Sequence, residues 1–444
     1  MARQRLMTMQ EEVAQARHSQ GERVAIVAGL RTPFVRRDTG FKSSYALDLG
    51  IMVTNELLSR MAIDRQQVEQ LVFGQVIQHP DIPNPAREIA LALNMSYLQA
   101  YTLSCSCLSG IQAVVNVAGS ILSGGIAVGI AGGTDSISNA AFSISPRVVH
   151  KWREIFNAST LNEKYRLFRQ FSWRDLKPHG INLKDYMTQL SVAEISEQMA
   201  QQFHISREAQ DEYARHSYQK MLDAWKIGLI KEDVMQSFPR PYVDFVVSDS
   251  LIPAATRENY YSRFSPVVKK DYATVTEANM PKPVDGAAAV LLMSENRAKS
   301  LGLTPLGYIR SYAITGNEIW QNMFMGAAAA TGLALDRAKV TLDEMDFIDI
   351  HETSASQMLV NLDLFRSKEF AKNQLNRTAC LGEIDLSKLN HLGGSIAFGN
   401  PRAATSLRLL IQSLNALKRK GGGLSLIASS GLGGLGAAMV LESE

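Results

Sequence analysis

Cysteine is scarce in this 444-residue sequence, which holds only Cys105, Cys107 and Cys380. Two of them stand a single residue apart, a spacing that suits neither a disulfide framework nor a four-ligand zinc site. A reducing, cytoplasmic setting with no metal is therefore expected. Charge of one sign is lacking too: Lys plus Arg number 46 against 43 Asp plus Glu, a formal net charge of +3. That balance is too even to point to nucleic acid. No window approaches the roughly 18 consecutive apolar residues that a membrane helix requires, so no transmembrane segment is expected. Residues 1–20 mix Arg with Glu11 and Glu12 around no uninterrupted apolar core, and read as a loose polar arm, not a secretory signal. Apolar residues, by contrast, are plentiful. At 46% hydrophobic and 20% charged, the chain can bury one or two full cores.

Internal repetition organises the rest. Leu58 to Val76 has the layout of Leu333 to Glu352: a helical stretch, an Asp-Arg pair, a polar turn, then a buried strand. Next, Cys107 opens an Ala/Val/Ile-rich helical stretch leading through Gly124-Gly125 into the apolar run Ile126 to Ala131. Asn400 opens the matching unit, which leads through Gly421 to Gly423 into Leu424 to Ala428. Each half finishes with a similar strand, Gly286 to Met293 and Gly436 to Leu441. Apolar strands without polar alternation, interleaved with helices, imply sheets covered on both faces. The expected fold class is α/β, built from two duplicated halves. Residues 21–145, completed by 270–303, form the first half and 304–444 the second.

Residues 146–269 are richer in Arg, Lys, Gln, Tyr and Met and read as an inserted lid. Within it, Ser191 to Phe203 and Ser206 to Ile227 are amphipathic helices, the second with Ser206 as N-cap and Glu208 in its first turn. Trp152, Phe156, Tyr165, Phe168, Phe171 and Trp173 lie among Arg153, Lys164, Arg166, Arg169 and Arg174. This stretch is either a helix whose apolar stripe packs on the domain, or a surface that docks on a membrane or partner.

Four segments can carry chemistry. Cys107 lies just before a helix rich in small residues, where free N–H groups and the helix dipole favour a thiolate; a buried, inert cysteine is the bland alternative. His351-Glu352 follows the apolar strand Phe347 to Ile350, which carries the imidazole to the C-terminal edge of a buried sheet; a satisfied core histidine is equally compatible. Gly399-Asn400-Pro401 puts an amide at a turn where glycine permits close approach to a ligand. Ser429 to Gly436 is a glycine-rich loop with N–H groups suited to an oxyanion, or a tight crossing of two strands.

Together these segments, with Asn84-Pro85-Ala86-Arg87, Ala131-Gly132-Gly133-Thr134-Asp135-Ser136, Asp285-Gly286-Ala287-Ala288-Ala289 and Gly433-Gly434-Leu435-Gly436, resemble the thiolase superfamily along nearly the whole chain. Among its members the sequence is most similar to the β-subunit of the fatty-acid oxidation trifunctional complex. The resemblance implies a five-layer αβαβα fold, a homodimer, acyl-CoA or acyl-carrier thioester substrates without any further cofactor, and room for a hetero-complex with another fatty-acid or biosynthetic subunit. It implies a nucleophile at Cys107 and an oxyanion pair at His351-Glu352. Glu352, Asn279 and Pro281 would touch substrate, and Leu432, Gly433 and Ser430 would border the oxyanion loop.

The chain also departs from that family. Where an activating histidine belongs it has Asn400, and where a second cysteine belongs it has Ser430. An amide cannot shuttle a proton near neutral pH, and a hydroxyl is far less acidic than a thiol. Cys107, His351 and Asn400 resemble instead the Cys-His-Asn set of condensing enzymes of the same superfamily. The leading expectation is therefore an acyl-CoA C-acyltransferase that condenses an acyl-Cys107 thioester with a carbon nucleophile, decarboxylatively or otherwise, with His351 as an oxyanion donor or as the base for Cys107. A degradative 3-ketoacyl-CoA thiolase and a catalytically silent structural subunit are the alternatives.

Overall fold

The computed structural model describes residues 22–142, 144–170, 177, 180, 183–250, 253–321 and 323–444. The polar arm at 1–20, and Phe171, Trp173 and Arg174 of the aromatic stretch, lie outside the described residues. Among the described residues ten strands occur in the order β1 (Val24–Arg31), β2 (Val35–Arg36), β3 (Gln70–Gly74), β4 (Gln99–Leu103), β5 (Val128–Asp135), β6 (Val284–Ser294), β7 (Gly307–Gly316), β8 (Phe347–Ile350), β9 (Gly423–Gly431) and β10 (Leu435–Ser443). The spatial order is β4-β3-β5-β6-β1-β7-β10-β9-β8. Between β1 and β7 the ladder holds only Ala25 opposite Tyr308 and Ile26 opposite Gly307. This narrow seam divides the sheet into two halves, each with its own sequence repeat.

The layering follows from which helices the repeats place on each face. Helix α1 (Ala46–Met61) and α2 (Pro85–Ala92) cover the outer face of the first half, burying Leu49, Val53 and Ile89 against Phe73, Ile130 and Leu291. On the outer face of the second half, α5 (Gly326–Ala338) and α6 (Ala355–Arg366) bury Ala330, Leu335 and Met358 against Ile348 and Leu426. Between the halves lie α3 (Ser109–Leu122) and α7 (Thr405–Lys420), whose Ile111, Val114, Leu407 and Leu410 share one core with Val72 and Ile427. The expected five layers are thus helix, sheet, helix, sheet, helix. The two central helices are the two opened by Cys107 and Asn400, so duplication itself brings those residues to one place.

In the inserted segment, α4 (Arg207–Lys226) starts at Ser206, whose side chain accepts from the Ala209 N–H, as the sequence implies. A preceding helix, Val192–Gln202, carries a full capping box between Ser191 and Glu194. The aromatic stretch behaves differently from the packed-stripe expectation. Its described residues include two short helices, Pro146–Asn157 and Leu161–Phe168, in which Val148 and Ile155 turn inward while Phe156, Leu161, Tyr165 and Phe168 stand exposed. No helix among the described residues is long and apolar enough to cross a membrane.

Candidate active site

Cys107 sits two residues before the first residue of α3, at the positive end of its dipole, and is almost completely buried. The turn that delivers it is tight: Ser106 has φ 54°, and the Leu108 N–H donates to the Cys105 carbonyl. Opposite stands Asn400, whose Nδ2 donates to Cys107 Sγ across 3.5 Å. Its amide orientation is fixed by its other end, because Oδ1 accepts from the Arg402 N–H and the Thr405 hydroxyl, both at 2.8 Å. An NH₂ group therefore faces the sulfur, and no base does. Close approach of the two central helices makes this contact. Gly110, in the first turn of α3, would place a Cβ 2.6 Å from the Ala403 carbonyl oxygen, so a larger residue would force the Asn400 turn away.

His351 emerges from the end of β8, and the structure places it at the edge where the sequence puts it. The imidazole is fully buried, with Nδ1 2.8 Å from Ser395 Oγ and with Nε2 unpartnered among the described residues. The tautomer follows from the hydrogen-bond chain. Arg408 Nη2, a pure donor, gives a hydrogen bond to Ser395 Oγ at 3.3 Å. The Ser395 hydroxyl is then placed to donate to His351 Nδ1, the acceptor beside it, and we assign the ring proton to Nε2 on that basis. Burial, aided by the Arg408 charge, pushes the imidazole down from its ordinary 6.5 to about 3. His351 is thus neutral near neutral pH, and with the assigned tautomer its Nε2–H is a donor, in keeping with the oxyanion role among the two expected of it.

Glu352, expected to touch substrate, has its carboxylate turned toward protein groups. Its carboxylate is fully buried and accepts from Asn390 Nδ2 at 2.9 Å, Tyr213 Oη at 3.0 Å, Ser217 Oγ at 3.0 Å and the Ile396 N–H at 2.8 Å. Burial raises its pKa, against which these hydrogen bonds act. Tyr213 and Ser217 lie one turn apart on α4, so Glu352 ties the inserted segment to the loop that leads to Asn400. Gly394 permits it, since a Cβ there would lie 2.0 Å from the Glu352 carboxylate.

The other expected positions have the following surroundings. Asn279 is fully buried: its amide donates to Asp211 and accepts from the Thr276 N–H, which makes it a brace for its loop. Pro281 is half-buried and lies next to Lys282, whose carbonyl accepts from the Asn400 N–H at 2.9 Å. Ser430 accepts from the Ala327 N–H and donates to the Phe324 carbonyl, both at 2.9 Å, so its hydroxyl is fully used in holding the start of α5. The Leu432 N–H, expected to line an oxyanion site, donates to Ser106 Oγ at 3.2 Å. Gly433, at φ 79°, has open space where a Cβ would stand. Among the described residues there is no cluster of three or more His, Cys, Asp or Glu side chains able to hold a metal.

Electrostatically the site favours a resting thiol. Burial pushes Cys107 above its ordinary 9.0, opposed by the charge of Arg402 and by hydrogen bonds from Asn400 and Ser106. Alkylation of Cys107 by iodoacetamide, followed on its own peptide, should therefore climb steadily with pH. No shoulder should appear near 6.5, because His351 stays neutral far below that value; an inflection there would contradict the lowered His351 pKa. The same burial has a consequence for folding. An unfolded chain takes up the His351 proton below 6.5 and the folded chain does not, so this histidine's contribution to stability falls as pH drops from 6.5 toward 3.

A layered α/β fold with a buried cysteine at a central helix start and a histidine at a strand end defines a nucleophilic transferase site. Residues 24–296 match the family described as thiolase, N-terminal domain, and residues 303–443 match thiolase, C-terminal domain. The chain is 46% identical over 426 residues to proteins named 3-ketoacyl-CoA thiolase from Shigella flexneri and Escherichia coli, covering 96% of this chain and 98% of theirs. Its fold superposes on the Bacillus anthracis acetyl-CoA acetyltransferase with a TM-score of 0.82 at 26% identity, covering 95% of this chain and 99% of that one. With human mitochondrial 3-ketoacyl-CoA thiolase the TM-score is 0.79 at 27% identity, covering 95% and 99%. The chain belongs to the thiolase family and is an acyltransferase.

Proposed function

We propose that this acyltransferase works on 3-ketoacyl-CoA through an acyl-Cys107 thioester. The observation that carries the proposal is the Asn400 amide donating to Cys107 Sγ at the start of α3, with the sulfur held between helix dipole and amide. Cys107 attacks the 3-keto carbon, the bond between C2 and C3 breaks, and the departing acetyl-CoA carbanion takes a proton. Free CoA then attacks acyl-Cys107 and regenerates the thiol. Relatives named 3-ketoacyl-CoA thiolase support this substrate class over the decarboxylative condensation that the Cys-His-Asn set suggests on its own.

The side chains also set the pace. Positions 400 and 430, where the family resemblance implies proton carriers, hold an amide and a hydroxyl committed to two backbone groups. General acid–base help is typically worth about 10²- to 10⁴-fold per group, so thiolysis should be slow in the wild type. Asn400→His combined with Ser430→Cys should raise it, and either change alone should do little, because such groups act as a unit. Loss of the 3-ketoacyl-CoA absorbance across the four-member cycle measures this. A wild type turning over at about 10 s⁻¹ would show that the proton carriers lie elsewhere. The amide facing the sulfur favours a second reading, in which acyl-Cys107 is passed to a carbon nucleophile that needs no α-proton removed. Formation of a lengthened 3-ketoacyl product from acyl-CoA, with thiolysis absent, distinguishes it.

A further inference from the structure

Arg408 is a fully buried cation with no carboxylate in contact with it among the described residues. Its Nη2 donates to Ser395 Oγ at 3.3 Å, its Nη1 donates to Gln412 Oε1, its Nε has no partner, and its Cζ lies 4.7 Å from the centre of the Phe398 ring. Taking a guanidinium out of water without pairing it costs stability, and an apolar side chain of similar length would avoid that cost. Two of the contacts converge on one short helix, Ser395–Phe398, whose first residue touches His351 and whose last precedes Gly399-Asn400. Arg408 also lies one turn beyond Thr405 on α7, and the Thr405 hydroxyl is one of the two groups that fix Asn400 Oδ1. One face of α7 thus reaches His351 through Ser395 and Asn400 directly.

We propose that Arg408 is a positioning residue that decides which way the hydrogen bonds run through His351, and so makes the imidazole an oxyanion donor instead of a base. The inference rests on the reading of acyl transfer at Cys107 with His351 as the donor. Ser395 Oγ is a two-way group, able to donate to Nδ1 or to accept from an Nδ1–H, whereas Arg408 can only donate. With Arg408 on that oxygen, an Nδ1–H would put a second donor there and leave the Ser395 proton without an acceptor, since the hydroxyl has no other partner among the described residues. The proton goes to Nδ1, Nε2 carries the ring hydrogen, and that N–H, unpartnered, is left for a substrate oxygen. Without the cation Ser395 accepts as readily as it donates. Nε2 then bears a lone pair in part of the molecules, and a lone pair repels a developing oxyanion. Thr405 acts in parallel on Asn400, taking Oδ1 and leaving Nδ2 to the sulfur.

Nitrogen NMR of the full chain labelled only in histidine, with His351→Gln identifying the resonances, reads the tautomer directly, because protonated and bare ring nitrogens are well separated. The wild type should show the Nε2–H form alone. Arg408→Met should show an Nδ1–H form beside it and lower kcat severalfold with KM little changed, while Arg408→Lys, a donor only like arginine, should keep the wild-type tautomer and most of kcat. An apolar residue in place of a buried unpaired cation is often neutral or stabilising, so Arg408→Met is expected to fold. Arg408→Gln, which is neutral and can accept from Ser395, is the second variant and should show the same change. A wild type holding Nδ1–H, or an Nε2–H form unmoved in both neutral variants, would overturn the proposal. A tautomer that shifts while kcat stays at the wild-type value would overturn it too, because His351 would then not be the donor. Absence of any acyl transfer in the wild type would overturn the acyl-transfer reading instead, and the spectra then decide Arg408 alone: a shift in the neutral variants upholds its control of His351, and no shift removes it.

Discussion

Cys107→Ala is expected to abolish acyl transfer, with kcat/KM falling by about 10⁴-fold or more. No neighbouring group can replace the sulfur. Cys105 is two residues away, but the tight turn at Ser106 separates it from Cys107, and Asn400 donates to Sγ of Cys107 alone. Burial raises the Cys105 thiol as well, without the opposing charge and hydrogen bonds that act on Cys107. Because Cys107 is small and sits where helix and turn already close, the alanine variant should fold, and its melting temperature should stay near that of the wild type. Steady-state kinetics on Cys107→Ala and Cys105→Ala side by side make the comparison. Full activity in Cys107→Ala would leave the cysteine as a core residue.

His351→Ala is expected to cost about 10²- to 10³-fold in kcat with little change in KM, as removal of one preorganised oxyanion donor does. The expectation rests on the chain from Arg408 through Ser395 to Nδ1, which leaves Nε2–H unpaired and available. His351→Gln, which carries an amide donor at a similar reach, should recover part of the loss, whereas a base at this position would not be replaced by an amide. Ser430→Ala provides the contrast. It strips hydrogen bonds from the Ala327 N–H and the Phe324 carbonyl, so it should lower stability by about 1–3 kcal/mol and leave kcat within a few-fold. Equal kinetic losses from His351→Ala and Ser430→Ala would mean that both act only through folding.

Much of this fold is legible in the sequence because it is written twice. The helices opened by Cys107 and Asn400, and the strand ending at His351, emerge from comparing one half with the other, and the structure brings Cys107 and Asn400 into contact. What sequence reasoning leaves open is the direction of the side chain at residues whose backbone position it places. Glu352 and Ser430 stand beside functional positions, yet each points into backbone groups and partners contributed by distant segments: α4 for Glu352, the start of α5 for Ser430. Tyr213, Ser217 and Asn390 go unnoticed in the sequence for the same reason, since only the fold brings α4 beneath Glu352. Ser395 and Arg408 carry no motif, and their link to His351 exists only across the turn of a short helix.

The central claim is a covalent bond at one sulfur, and peptide mapping of the wild-type chain after mixing with an acyl-CoA donor tests it most directly. The expected result is a single acyl increment on the peptide carrying Cys107, removed by free CoA. An increment on Cys105 or Cys380, or none with any donor, would contradict it.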